Sequence, residues 1–311
     1  MRIEPVPELP RSEEPDDAEG IARTEEVPPE EGTPRSDFFG HAGRALVWIG
    51  LLAILFVGFE LVGGALLHTE DQGRLLSGFK ISVAEGKAGA PGWKPTPGQP
   101  IAQLVIPEIG IQEVVVQDTT PELMKGGPGH LLTSPLPGHA GNVVIAGRRV
   151  TYGGVFRRLD RLTPGDHIAL ITPEGAFDYV VSARSRTVRA GEPDVIGPST
   201  TPELTLVTSD TPWSTRGRLA VTAALQGTPL PDAPVPTIAL SKAQLGLTGD
   251  TGAIVLVIPW AIALVLAWLG EQWFARRWVS PRVAMLIGAP VFLVILFFLF
   301  TSVDRLLPGT I

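Results

Sequence analysis

The 311-residue chain carries a formal charge of −7, five histidines and no cysteine. Without cysteine there is no disulfide, thiolate metal site or cysteine nucleophile, and the scattered histidines form no pair at metal-ligand spacing. No glycine-rich phosphate loop or dinucleotide fingerprint is present, so no cofactor is implied, and no basic stripe with aromatics marks a nucleic-acid partner.

Residues 1–40 hold twelve acidic and four basic residues, which leaves +1 for the remainder. Residues 1–44 are thus an acidic, Pro-rich segment that buries too little apolar surface to order itself. Residues 45–67, from Ala45-Leu46-Val47-Trp48-Ile49 to Leu66-Leu67, are apolar and long enough to cross a bilayer. The acidic segment before them and the lack of a small-residue cleavage pattern set them apart from a signal peptide. Glu60 interrupts the run about 10 Å from the helix end, at 1.5 Å per residue. That nearness to the interface favours anchoring or helix packing over proton chemistry. The segment 68–100 begins as a helix with Leu75, Leu76, Phe79 and Val83 on one side and ends as a Gly- and Pro-rich linker.

Residues 101–227 change character. Short stretches at 101–106, 111–116, 142–146, 167–172, 177–185, 204–208 and 219–225 are separated by Gly, Pro, Asp and Asn. This pattern predicts an all-β barrel or sandwich. A Pro-rich linker, 228–250, leads to two further spanning-length runs, 251–269 and 283–303. Pro259 and Pro290 lie within them, as kinks or as prolines tolerated in a packed bundle. Between the runs, 270–282 holds Arg276, Arg277 and Arg282 with Trp273 and Trp278, a cytoplasmic-interface signature. The expected topology is a multi-pass plasma-membrane protein with its N-terminus inside, and with the β domain and residues 304–311 outside.

Two segments of the β domain carry the chemistry. Gly141-Asn142-Val143-Val144-Ile145-Ala146-Gly147-Arg148-Arg149 leads into Tyr152-Gly153 and Phe156. Glu203-Leu204-Thr205-Leu206-Val207-Thr208-Ser209 is followed by Asp210, Arg216 and Arg218. A serine hydroxyl attacks a carbonyl only with a positioned general base. Arg148 cannot be that base, because a guanidinium keeps its proton at physiological pH. Along an extended strand His139 lies about 30 Å before Arg148 at ~3.3 Å per residue. Asp210 follows Ser209 directly and so points to the opposite face.

In this order the two segments resemble the active-site strands of the sortases, the cell-wall transpeptidases, of the actinobacterial class E type. There the strands typically end in Gly-Asn-Val-x-Ile-Ala-Gly-His-Arg and Thr-Leu-x-Thr-Cys. Leu104-Val105-Ile106-Pro107-Glu108-Ile109 resembles the family's opening strand, Gly127-Pro128-Gly129-His130 a common stretch outside its catalytic set, and Leu159 through Leu162 to Gly165-Asp166 a recurrent turn. The resemblance implies a closed sortase-type β-barrel with short helices, joined here to three transmembrane helices. It puts Ser209 at the Cys position and Arg148 at the His position, and it retains Arg218, with Arg216 as the runner-up.

Arg218 then reads either as an oxyanion donor or as a structural arginine between strands. Thr208, Trp213 and Arg216 are candidate ligand contacts. Trp213 is equally a loop residue packed on the barrel rim. Arg148 beside Arg218 would make the cleft doubly cationic and suited to a phosphate or carboxylate. The resemblance implies a non-catalytic sortase-like protein of the cell envelope. Its partner would be a sorting-signal-like peptide, a wall precursor or another membrane protein. The alternatives are an active transpeptidase or hydrolase using Ser209, and a membrane assembly module.

Overall fold

A computed structural model describes residues 50–90, 92–189, 193–211, 217–231, 235–245, 251–278 and 280–307. The acidic segment 1–44 lies outside the described residues, as do Trp213 and Arg216. Nine strands form one sheet: β1 (Pro100–Ile106), β2 (Ile111–Gln117), β3 (Gly129–His130), β4 (Asn142–Ala146), β5 (His167–Thr172), β6 (Gly175–Val181), β7 (Arg186–Arg189), β8 (Glu203–Ser209) and β9 (Gly217–Leu225). Their order is β6-β5-β1-β2-β3-β4-β8-β9-β7, and β6 also pairs with β9. That pairing closes an eight-stranded barrel. The edge of β9 is shared: β6 meets Leu225 to Ala223, and β7 meets Ala220 to Gly217.

The barrel interior is filled by inward residues such as Leu104, Ile106, Ile145, Phe156, Leu170, Tyr179, Leu206 and Val221, all fully buried. β4 and β8 are buried along nearly their whole length because they are covered on both sides. Their outer face packs Val144 and Val207 against Leu131, Val195 and Ala220. Two expected boundaries differ. The stretch expected at 177–185 ends as β6 at Val181, and a separate strand, β7, begins at Arg186, since pairing with β9 lapses between them. The two-residue β3 is too short to show a period in the sequence.

Among the described residues, three helices are long and apolar enough to cross a membrane. The first, α1 (Gly50–Ala84), is continuous where the sequence suggested a span followed by a separate helix. It widens into a π turn at Phe59–Gly63. Its later turns dock on the barrel through Gly64, His68, Gln72 and Phe79, while Val83 stays exposed. The docking face is therefore set by polar groups as well as by the predicted apolar stripe. Gln72 behaves like a strand residue: its Oε1 accepts from Val114 N–H at 2.7 Å, and its Nε2 donates to the carbonyls of Val114 and Gly126.

The remaining helices, α2 (Ile254–Arg277) and α3 (Pro281–Asp304), form an antiparallel hairpin in which Trp260 stacks on Phe298 at 4.7 Å. Phe56 and Phe59 of α1 meet Phe300 and Phe297 of α3 edge-on.

Candidate functional site

β4 and β8 run parallel, from Asn142 opposite Glu203 to Ala146 opposite Val207. Parallel register carries the residues after both strands to the same end of the barrel. There Gly147 N–H donates to Val207 O at 3.0 Å, Thr208 Oγ1 donates to Gly147 O at 2.8 Å, and Arg149 Nη1 donates to Ser209 O at 3.1 Å. β9 lies on the other side of β8, with Ser209 paired to Arg218. The fold thus brings Thr208, Ser209, Arg218 and the Arg148 segment to one end of the barrel.

Each side chain is committed. Ser209 is fully buried and its hydroxyl donates to Thr211 O at 2.8 Å. Arg218 is buried, and its Nη1 donates to Gly217 O. Burial pulls the Arg218 guanidinium below its ordinary pKa, and the Asp210 carboxylate opposes that shift. Asp210 folds back over Gly217 so closely that a Cβ there would overlap its carboxylate.

Arg148 is 1% exposed. Its Nη1 donates to Thr151 Oγ1 at 2.7 Å and its Nη2 to Pro121 O at 3.0 Å, and its guanidinium lies 4.7 Å from the Tyr152 ring centroid. Asp304, the last residue of α3 and fully buried, faces it. The Asp304 carboxylate lies 3.8 Å from Arg148 Nη1 and 2.6 Å from Lys125 Nζ, and it accepts from the Tyr152 hydroxyl at 3.1 Å. Glu60 of α1 is buried beside this group. The doubly cationic cleft expected from the sequence is therefore corrected. The anion that answers Arg148 belongs to the chain, and Arg218 has Asp210.

Asp304 and Lys125 had drawn no role in the sequence. The available signal was an acidic residue closing an apolar run of spanning length, because a lone carboxylate there is costly unless it is paired.

The imidazoles are held elsewhere. His68 bridges Lys125 O and Glu113, His139 bridges Pro231 O and Glu174, and His167 pairs with Asp178. His130 is buried with Nδ1 2.9 Å from the Gln117 amide oxygen and Nε2 2.8 Å from Pro135 O. Burial lowers its pKa to about 4, opposed by the Pro135 carbonyl. A neutral ring donates from Nε2 to that carbonyl and needs the Gln117 amide turned to donate to Nδ1. Because the fold depresses this pKa, the unfolded chain takes up the proton first. The stability that His130 contributes is full above about pH 6.5 and is lost as pH falls towards 4. The loss is on the order of 3 kcal/mol. Unfolding measured at pH 7, 5.5 and 4.5 is expected to show a shallower acid slope in His130→Gln than in the parent.

Among the described residues, no group of three His, Asp or Glu side chains is arranged to hold a metal. Residues 104–226 match the Sortase domain family. Sortase D of Bacillus subtilis is 35% identical over 105 residues, covering 34% of this chain and 51% of that protein. Sortase SrtE1 of Streptomyces coelicolor is 28% identical over 148 residues, covering 45% of this chain and 42% of that protein. The chain thus spans about half or less of the length of these relatives. A Clostridium perfringens Sortase D5 transpeptidase structure aligns at 26% identity with a TM-score of 0.46, over 51% of this chain and 99% of its own. The match to the Sortase domain family falls on the closed eight-stranded barrel, a barrel of the kind typical of sortases.

Proposed function

We propose that this chain is a non-catalytic, class E-like sortase of the cell envelope. It holds a sorting-signal-like peptide, a wall precursor or a membrane protein partner without turning it over. Ser209 and Arg148 stand at the positions of the family's cysteine and histidine. The observation that carries this reading is the state of Arg148: buried, hydrogen-bonded to Thr151 and Pro121, and faced by Asp304. A guanidinium is not a general base and cannot take the proton of Ser209. The Ser209 hydroxyl meanwhile directs its proton to a backbone carbonyl.

The same reading places the barrel outside the membrane. Its support is the turn between α2 and α3, where Arg276, Arg277 and Arg282 are exposed with Trp273 and Trp278, as at a cytoplasmic interface. A partner would then meet the barrel at the envelope face, with Arg218, the residue paired with Ser209 across β8 and β9, as its donor.

The test uses the full chain in detergent or nanodiscs, because α1 and α3 complete the site. Fluorescent Leu-Pro-x-Thr-Gly and Leu-Ala-x-Thr-Gly peptides are titrated and polarisation is read. Saturable binding that Arg218→Ala weakens about tenfold or more is expected, the loss typical of a buried charged donor. No binding of either peptide would remove the peptide-holding reading.

A further inference from the structure

The buried charges lie at a junction of three parts of the chain. Asp304 comes from the end of α3, Glu60 from the π turn of α1, and Lys125, Arg148 and Tyr152 from loops of the barrel. π turns inside helices recur at functional sites. Four atoms of this group have no hydrogen-bond partner: both Glu60 oxygens, Asp304 Oδ1 and Arg148 Nε. Native interiors leave few polar atoms in that condition.

The loop after Arg148 is gripped as well. Tyr152, Gly153 and Gly154 take φ of 49°, 79° and 54°, three successive residues in the left-handed region. A tyrosine persists there only when its surroundings over-determine it. Those surroundings include α1: a Cβ on Gly64 would lie 3.3 Å from Tyr152 N, and the His68 ring packs against Gly153.

We propose that α3 is a latch. Asp304 docks as an in-chain counter-ion on Arg148, Lys125 and Tyr152 and holds the loop 148–154 in its strained form. The position of the helical hairpin and the state of the sortase-domain site are then one equilibrium. The choice of chemistry supports this over plain anchoring. A buried ion pair is a poor source of net stability compared with apolar packing, yet breaking it leaves costly uncompensated charges. Such a joint is all-or-none and conditional on the geometry of both partners. With α3 displaced, Arg148 and Lys125 lose their shared carboxylate; Lys125 keeps Glu122 at 2.9 Å, and Arg148 becomes the cationic site for an anionic group. The inference does not depend on whether Ser209 reacts.

The absence of cysteine allows a direct test in the full-length chain. Glu122 and Arg305 lie at the mouth of the junction, half-exposed, with side-chain ends 3.6 Å apart. Glu122→Cys with Arg305→Cys reports whether α3 is docked, through the rate of cross-linking by a short bis-maleimide. His167→Cys with Asp178→Cys, on the exposed face of β5 and β6, reports barrel integrity in a parallel sample. Asp304→Asn is expected to slow the α3 pair roughly tenfold or more while leaving the barrel pair unchanged. Equal rates at the α3 pair with and without Asp304→Asn would overturn the latch. Should Asp304→Asn disrupt both pairs, Lys125→Gln decides. That residue sits at the edge of the cluster, with its side chain 12% exposed, and makes the 2.6 Å contact. Slowing of the α3 pair alone then supports the latch, and no slowing refutes it.

Discussion

Asp304→Ala is expected to destabilise the folded chain by about 3–5 kcal/mol, the usual cost of removing one partner from a buried ion pair. In a unit of this size that is a fall of roughly 6–20 °C in the midpoint of thermal unfolding. The cost arises from the charges left unanswered more than from the attraction removed. Arg148 and Lys125 are 1% and 12% exposed in their side chains, and both face the Asp304 carboxylate. Without it, Arg148 sits in a low-dielectric junction beside Glu60, and Lys125 keeps the Glu122 carboxylate at 2.9 Å. Replacing both Arg148 and Asp304 by apolar residues is expected to cost less than the sum of the single changes, because neither charge is then stranded. Thermal melts of the four proteins in one detergent check this. Additive losses would show that the two residues do not act on each other.

The second large effect is at Phe156. Its ring is fully buried in the barrel core, and its backbone N–H donates to Arg148 O at 3.0 Å. Phe156→Ala is expected to cost ~3–5 kcal/mol through reduced burial and the cavity left behind. The ring also explains Gly147, since a Cβ at that position would approach it to 2.6 Å. Gly147→Ala alone is therefore expected to cost about 1–3 kcal/mol by overpacking. In the Phe156→Leu background that cost should shrink, which denaturant unfolding of the four combinations measures. A Gly147→Ala penalty independent of residue 156 would place the constraint elsewhere.

The barrel was legible because its strands are short, bounded by turn residues and ordered as two recognisable motifs. The parallel pairing of β4 with β8, which brings Arg148 and Ser209 to one end, follows from topology and not from local pattern. The junction with the membrane helices was not legible. Asp304 stood in what read as an external tail, and Lys125 in an unremarkable loop. Nothing in their neighbouring residues announces that folding brings them within 2.6 Å of each other. Glu60 gave the nearest hint, as an acid inside an apolar run, and the helix-packing expectation agrees with its buried place beside α3. Arg148 is faced by Asp304 for a physical reason that the sequence pattern did not display. A charge that must be buried needs its counter-ion in the fold itself.

The most direct test of the central claim is turnover. The full-length chain is incubated with Leu-Pro-x-Thr-Gly and Leu-Ala-x-Thr-Gly peptides and an amine acceptor, and products are followed by mass spectrometry beside Ser209→Ala. A non-catalytic sortase domain predicts no cleavage above the Ser209→Ala background, even at peptide concentrations that saturate binding. Cleavage or transpeptidation by the parent that disappears in Ser209→Ala would contradict it and establish a serine-dependent enzyme.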